Sequence, residues 1–142
     1  FDFTPLSPSP LHMFLFCASG LKGESIFDTS LPVRYGLGEE LMYDMKTYRI
    51  SYFHKSRKKA NLRRAPGKVL AVQGADVVTS EDWGKTSHCR VERINGTIRF
   101  LIDGKESFSY KDETPLEGNN WGFRLMACAK GAYDNIRIMT IK

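Results

Sequence analysis

Two dipeptides that favour tight turns, Asn95-Gly96 and Asp103-Gly104, constrain the fold of this chain more than any other feature. Each lies between short runs in which apolar and polar residues alternate, a pattern typical of half-buried strands. Asn-Gly and Asp-Gly favour the type I′ turn because both of its central residues take positive φ. The pattern therefore predicts three consecutive antiparallel strands at residues 89–94, 97–102 and 105–110.

Most of the remaining chain also follows the period of a strand rather than that of a helix. The further predicted strands lie at residues 12–17, 48–54, 69–72, 122–127 and 133–141. In the last of these, Ile136 and Ile138 are predicted to face inward. No segment of ten or more residues has a convincing helical period, so we predict an all-β chain of roughly eight strands. The expected architecture is an antiparallel two-sheet β-sandwich or jelly roll, formed by one domain over residues 1–142.

Two segments depart from this pattern. Residues 21–41 contain three glycines and a proline, and they are longer than an ordinary connection; such loops are usually functional. We expect this loop to lie over one end or one face of the sheets. Residues 1–10 carry three of the six prolines and resemble the end of a strand followed by a loop, so we expect native residues before Phe1.

The positive charge of the chain is concentrated in one stretch. The chain has 21 Lys and Arg residues against 16 Asp and Glu residues, a net charge of +5. Seven of the basic residues and no acidic one lie between His54 and Lys68, so the rest of the chain is slightly acidic. A local basic patch attracts an anion, which could be nucleic acid, a phosphate or an acidic sugar. A solvated loop is an equally compatible interpretation. No aromatic residues are interleaved with these basic residues, which disfavours nucleic acid.

Several segments taken in order resemble one family. They read FLFCASGLKGESIFDTSL from Phe14, RISYFHK from Arg49, NLRRAPG from Asn61, QGADVV from Gln73, GFRLMA from Gly122 and AYDNIRI from Ala132. In this succession the chain resembles the YesU-like family of bacterial concanavalin-A-like jelly-roll proteins over almost its whole length. The resemblance implies a jelly roll whose first strands are not in this chain. It also implies a role in the breakdown of acidic polysaccharides such as rhamnogalacturonan and ulvan.

An enzyme of the lyase or dehydratase kind, acting on a uronate by β-elimination, is the activity that the resemblance implies. Such a reaction needs a cation on the carboxylate, a base near C5 and an acid at the departing oxygen. We assign Arg124 to the carboxylate, His54 to the base and Tyr52 to the second proton transfer. Neighbouring cations keep His54 neutral, and a period of two places Tyr52 on the same face. The predicted substrate-binding residues are Arg49, Asn61, Arg63, Arg64 and Trp121.

Each catalytic assignment has a structural alternative. Tyr52 alternates with Ile50 and is equally compatible with a place in the core, and His54 with an exposed strand end. Arg124 could instead form a buried ion pair, with Asp44 or Asp134 as the partner.

Two other function classes stay open beside the lyase. One is a non-catalytic carbohydrate-binding module with the same sandwich. The other is a glycoside hydrolase, which needs two carboxylates flanking the scissile bond. The predicted strands contain few paired acids, but Glu24, Asp28 and Asp44 keep the hydrolase open because the long loop could deliver them.

We expect no metal and no cofactor. The three cysteines lack the close spacing of a zinc site and cannot all pair as disulfides, which favours free thiols. Free thiols favour the bacterial cytoplasm without excluding the periplasm. No apolar run approaches the roughly 18 residues of a membrane span, so we expect no membrane partner. The expected partner is an acidic oligosaccharide, and a homodimer is compatible with the sequence.

Overall fold

Strands make up most of the chain, as the alternating pattern predicts. The structure, a computed structural model, describes residues 1–8, 11–53, 58–76, 78, 80–126 and 128–140. Within this part the strands are β1 (Asp2–Pro5), β2 (His12–Ser19), β3 (Lys46–Tyr52), β4 (Lys59–Ala65), β5 (Val69–Ala75), β6 (Ser87–Ile94), β7 (Thr97–Ile102), β8 (Lys105–Lys111), β9 (Asn120–Leu125) and β10 (Gly131–Asp134). The helices are α1 (Glu40–Tyr43) and a 3₁₀ turn at Ser80–Asp82.

The two predicted turns join β6, β7 and β8 into an antiparallel meander. Asn95 and Gly96 have φ values of 48° and 76°, and Asp103 and Gly104 have φ values of 50° and 76°. These are the positive angles that a type I′ turn requires, so this prediction is confirmed. Strand β4 was not predicted, because its basic and polar side chains obscure the alternation of its three apolar residues.

The ten strands form two five-stranded antiparallel sheets that face each other. Sheet I has the strand order β10-β1-β6-β7-β8, and sheet II has the order β5-β4-β3-β2-β9. Their inner faces form one apolar core, which includes the fully buried Ile98 and Phe100 of β7 and Tyr48 and Ile50 of β3. The all-β, two-sheet jelly-roll prediction is confirmed. Because side chains alternate across a strand, every residue between two core residues faces outward.

Strands β5 and β8 close one side of the sandwich through a very short backbone contact. A Cβ atom built on Gly74 would lie 1.8 Å from the carbonyl oxygen of Ser107, so only glycine fits there. The Ser107 hydroxyl donates a hydrogen bond of 2.6 Å to the carbonyl of Ala75. This contact holds the edge of sheet II against the edge of sheet I.

Two predicted faces are wrong. The period of two along residues 48–54 predicts that Phe53 shares the face of Arg49, but its φ of 52° ends the strand and turns its ring into the core, where it is buried. Ile136 and Ile138 follow the end of β10 at Asp134, and their side chains are 43% and 65% exposed. The apolar pattern of that segment therefore does not mark a core strand in this structure.

A histidine is fully buried where β2 meets sheet I. His12 packs against Phe3, Phe53 and Tyr133, and its Nδ1 lies 2.8 Å from the Tyr133 hydroxyl. Its Nε2 has no hydrogen-bond partner in the described part of the chain. Burial disfavours the charged imidazolium and lowers the pKa of His12 to about 4.

This burial makes the stability of the fold depend on pH. Between pH 6.5 and about 4 the unfolded chain binds a proton that His12 in the folded chain does not bind. Stability is therefore expected to fall by about 3 kcal/mol as the pH is lowered through this window. Urea unfolding from pH 7 to pH 4 measures this slope, which His12→Phe should flatten. His88→Gln provides the comparison, because it removes an exposed histidine, paired with Asp2, and keeps the buried His12, so stability should still fall through this window. An unchanged slope in His12→Phe contradicts the assignment.

Candidate functional site

Three arginines come together on the outer face of sheet II. Arg49 of β3 lies directly opposite Arg63 of β4 and, on its other side, opposite Leu15 of β2. In the adjacent row, Arg124 of β9 lies opposite Met13 of β2. We call Arg49, Arg63 and Arg124 the arginine cluster. The sequence predicted all three as site residues, and the structure places them on one face.

Arg49 carries its charge into a buried position without an anion beside it. Its side chain is only 8% exposed, and its Nε has no hydrogen-bond partner among the described residues. No carboxylate of the described chain lies within ion-pair distance of any arginine of the cluster. Burial, and then the charges of Arg63 and Arg124, lower the pKa of Arg49. A guanidinium nevertheless stays protonated in proteins, so this site holds a positive charge that favours a bound anion.

Asn61 adds an acceptor beside these donors. It lies opposite Ser51 in the row that also contains Met13 and Arg124. Asn61 is 2% exposed, and its Oδ1 has no hydrogen-bond partner among the described residues. Buried amide oxygens are rarely left unpaired, and a ligand hydroxyl is the kind of group that would pair with this one.

The other two arginines are held at the borders of the face. Arg63 Nη1 donates a hydrogen bond of 2.8 Å to the carbonyl of Lys68. Arg124 Nη2 donates one of 3.2 Å to the carbonyl of Gly36 in the long loop. The ion pair considered for Arg124 is absent: no carboxylate oxygen of Asp44 or Asp134 lies within ion-pair distance of its guanidinium.

The long loop forms a wall beside Arg124, in agreement with its predicted place over one face of the sheets. An open cavity of about 460 Å³ lies between the loop and strands β2 and β9. Its lining includes Leu15, Gly122, Arg124, Gly36, Leu41 and Met45. Gly122 has no side chain and no neighbouring atom within 4 Å of a Cβ position, which leaves space in front of Leu15.

Tyr52 lies on the opposite face of β3 from the arginine cluster. It is fully buried in the core, its ring packs against Phe3 and Phe100, and its hydroxyl lies 3.5 Å from that of Tyr133. Burial raises the pKa of Tyr52 well above its usual value. The prediction that this hydroxyl faces a substrate is corrected, because the period of two that puts Arg49 outside puts Tyr52 inside. His54, the predicted base, lies outside the described residues.

Arg64 also belongs to the inner side of sheet II, and its predicted contact with substrate is corrected. Its Nε lies 3.1 Å from Oδ2 of the buried Asp112, and its Nη2 donates to the carbonyl of Thr114 at 2.9 Å. The hydroxyl of Tyr48 donates a 2.6 Å hydrogen bond to the same Asp112 oxygen. Although burial opposes ionisation, these hydrogen bonds and the Arg64 charge together lower the pKa of Asp112. The arginine therefore ties the two sheets together.

Trp121 stands at the edge of the sandwich beside the cavity. Its ring packs against Phe14 and Phe123, and it is 43% exposed. Alternation along β9 puts its side chain on the other side of the strand from Arg124, so the structure brings it near the arginine cluster without placing it in the cluster. Of the predicted residues, Arg49, Asn61, Arg63 and Arg124 share one face.

Other features of the face were not singled out from sequence. Ser51 and Gln73 lie in the same row as Asn61, and the alternation of their strands was the signal that could have found them.

Among the described residues, no group of three or more His, Cys, Asp or Glu side chains could hold a metal ion. Cys17 and Cys89 are free thiols, and Cys89 is buried. None of the described helices has the length and apolar character needed to cross a membrane.

Residues 1–138 match the family model described as Domain of unknown function (DUF1961). The chain belongs to this family. This DUF1961 chain is 30% identical over 150 residues to the "Uncharacterized protein YesU" of Bacillus subtilis (strain 168), covering 96% of the chain and 68% of the relative. The likeness to YesU that the sequence motifs predict is thereby confirmed.

The DUF1961 chain is also similar to a solved structure, described as a protein of unknown function with a galectin-like fold from Bacillus subtilis. The TM-score is 0.80 and the sequence identity is 31%. The match covers 92% of this chain and 65% of the other, so the chain spans about two thirds of the length of that protein. A galectin-like sandwich is a fold of the carbohydrate-binding type, which suggests a sugar-related role.

The contrast between Arg63 and Arg64 yields a prediction about stability. Arg64→Gln leaves the buried Asp112 carboxylate without its cation, so it is expected to destabilise the fold by about 1–3 kcal/mol. Arg63→Gln removes a charge from the arginine cluster and should leave the stability nearly unchanged. Thermal unfolding of the two variants beside the wild type measures the difference. Equal losses in both variants contradict the assignment of the two residues to opposite faces.

Proposed function

We propose that the outer face of sheet II binds an anionic carbohydrate through the arginine cluster. The observation that carries the proposal is the buried Arg49, which has no carboxylate partner among the described residues and shares its face of sheet II with Arg63 of β4 and Arg124 of β9. A carboxylate or sulfate group on this face would supply the missing counter-charge. Arginine is suited to this task because its planar fork binds such groups with two parallel hydrogen bonds.

The polar groups around the cluster favour a sugar over a simple anion. Asn61 offers a buried acceptor for a hydroxyl group, whereas a free sulfate has no hydrogen to donate and would leave that oxygen unpaired. The galectin-like fold supports a sugar-related role. The family resemblance implies the breakdown of rhamnogalacturonan or ulvan, and we take the ligand to be a uronate-containing or sulfated oligosaccharide of that class.

Hydrolysis is not supported by the chemistry of this face. The five strands of sheet II contain no Asp or Glu residue. In the long loop, Glu24 accepts a hydrogen bond from the backbone N–H of Lys22, and Asp28 accepts two from Ser30, so both carboxylates are bound within the loop itself. A glycoside hydrolase of the usual kind needs two carboxylates on either side of the bond that it cleaves. The described part of the face has cations and amides instead, which can bind a substrate but cannot exchange its protons at neutral pH.

Binding is tested with a galacturonate trisaccharide and the matching neutral galactose trisaccharide. Wild-type protein should prefer the acidic sugar, and Arg49→Gln should weaken its binding by about tenfold or more, the loss of a charge-assisted hydrogen bond. The same substitution should not lower the melting temperature, because it removes a buried charge that has no carboxylate partner among the described residues. Calorimetric titration and thermal unfolding measure the two effects.

Arg90 provides the matched control. It lies on β6 of sheet I, mostly exposed and paired with Glu92, so Arg90→Gln lowers the net charge equally at a distant place. This variant should bind the acidic trisaccharide like the wild type. The proposal is contradicted if acidic and neutral sugars bind alike, or if Arg90→Gln weakens binding as much as Arg49→Gln does.

β-Elimination at a uronate is a second candidate, favoured by the same arginines. A carboxylate neutralised by guanidinium groups makes the neighbouring C5 proton more acidic, which is the first requirement of the reaction. The described residues of the face contain no base, so this role falls to His54, which follows Phe53 in the chain. The prediction that Tyr52 supplies the acid is not retained.

Elimination creates a conjugated double bond and is followed by ultraviolet absorbance. If the chain is a lyase, the galacturonate trisaccharide should produce new absorbance that His54→Ala abolishes, while His88→Ala leaves the rate unchanged. Retained binding in His54→Ala separates catalysis from affinity. Binding of the trisaccharide by the wild type without any new absorbance identifies the chain as a carbohydrate-binding module and eliminates the lyase candidate for this substrate.

A further inference from the structure

An exposed aromatic residue stands in the long loop that borders the arginine cluster. Tyr35 is 80% exposed, and no ring contact involves it in the described chain. Its neighbour Gly36 lines the cavity beside Arg124. Val33 and Leu37 of the same segment are also exposed, so Tyr35 belongs to a group of apolar side chains beside the cavity, and exposed groups of this kind mark binding surfaces.

The backbone around Tyr35 is held in a fixed turn. The carboxylate of Glu40 accepts hydrogen bonds from the backbone N–H of Tyr35 at 2.8 Å and from that of Leu37 at 2.7 Å. Gly36 between them has a φ of 77°, a conformation that glycine adopts without strain. The hydrogen bond from Tyr35 is the main cause that lowers the pKa of Glu40, so the carboxylate stays charged at neutral pH.

The same turn is joined to the arginine cluster. The carbonyl of Gly36 accepts the 3.2 Å hydrogen bond from Arg124 Nη2. On the other side of Tyr35, the side chain of Arg34 donates to the carbonyls of Ile26 and Asp44 at 2.9 and 3.2 Å. The aromatic ring is thus presented from a backbone that is fixed at both ends and anchored to a residue of the anion site. Such preorganisation lowers the entropic cost of binding.

We propose that Tyr35 is a stacking platform for a second sugar ring, next to the acidic sugar on the arginine cluster; this inference rests on the proposed function. A pyranose ring has an apolar face of C–H groups that packs on an aromatic ring, whereas its carboxylate requires the cations. The ligand is then an oligosaccharide of at least two units rather than a single uronate. The arginine cluster binds the charged group of the ligand, and Tyr35 distinguishes an oligosaccharide from a single sugar.

The inference is tested by comparing ligands of different length. Tyr35→Ala should weaken binding of the galacturonate trisaccharide by about three- to tenfold, while binding of galacturonate monosaccharide, followed by NMR titration, stays as in the wild type. Tyr35→Trp should restore the affinity for the trisaccharide, which a merely structural role of the tyrosine does not explain. Trp83 is an exposed aromatic residue beside β1 of sheet I, so Trp83→Ala serves as the control. This variant should bind the trisaccharide and the monosaccharide like the wild type.

Failure of this inference is distinguishable from failure of the proposed function. If Arg49→Gln weakens binding of the trisaccharide and Tyr35→Ala does not, the anion site stands and the stacking platform is wrong. An equal effect of Tyr35→Ala on monosaccharide and trisaccharide also overturns it, because a separate ring position predicts a difference. If neither substitution changes the affinity for the trisaccharide, both the proposed function and the stacking platform are wrong.

Discussion

The buried positive charge of Arg49 is the constraint on which the outer face of sheet II depends. A guanidinium cannot shed its proton to escape burial, so the fold bears the cost of desolvating it and of its repulsion by Arg63 and Arg124. Elsewhere in the described chain, arginines at positions 64, 90, 93 and 99 are paired with carboxylates. The three arginines of the cluster have no such partner among the described residues, and Arg49 is buried as well. A buried charge without a counter-ion, beside an amide oxygen that has no partner among the described residues, is typical of a binding site. The ligand supplies the missing partners.

The arginine cluster arises from the alternation of side chains along the strands of sheet II. Alternation directs Tyr48, Ile50 and Tyr52 into the core and leaves Arg49 on the outside. Antiparallel pairing then puts Arg63 directly opposite Arg49, while Arg64, one position along, faces the other way and secures Asp112. Two adjacent arginines thus have different tasks. Arg63 belongs to the proposed anion site, and Arg64 joins the two sheets.

The sequence predicts those parts of the fold and of the candidate site that depend on local backbone geometry. The turns at Asn95-Gly96 and Asp103-Gly104 depend on only two residues each, and the structure has them as predicted. The outward face of β3 follows from period alone. The failures have non-local causes. Phe53 enters the core because a left-handed residue ends β3, and the role of Arg64 depends on Asp112, 48 positions away in the sequence. The fixed turn at Tyr35 depends on hydrogen bonds to Glu40, which no period in the sequence indicates.

The most direct measurement of the central claim is an NMR titration that observes the Nε–Hε groups of the arginines during addition of the galacturonate trisaccharide. If the arginine cluster is the anion site, the signals of Arg49, Arg63 and Arg124 should shift together and saturate at one ligand concentration. Those of Arg90 and Arg99 on sheet I should remain in place, and the neutral galactose trisaccharide should move none of them. Saturable shifts confined to arginines outside the cluster, or equal shifts with both sugars, contradict the claim.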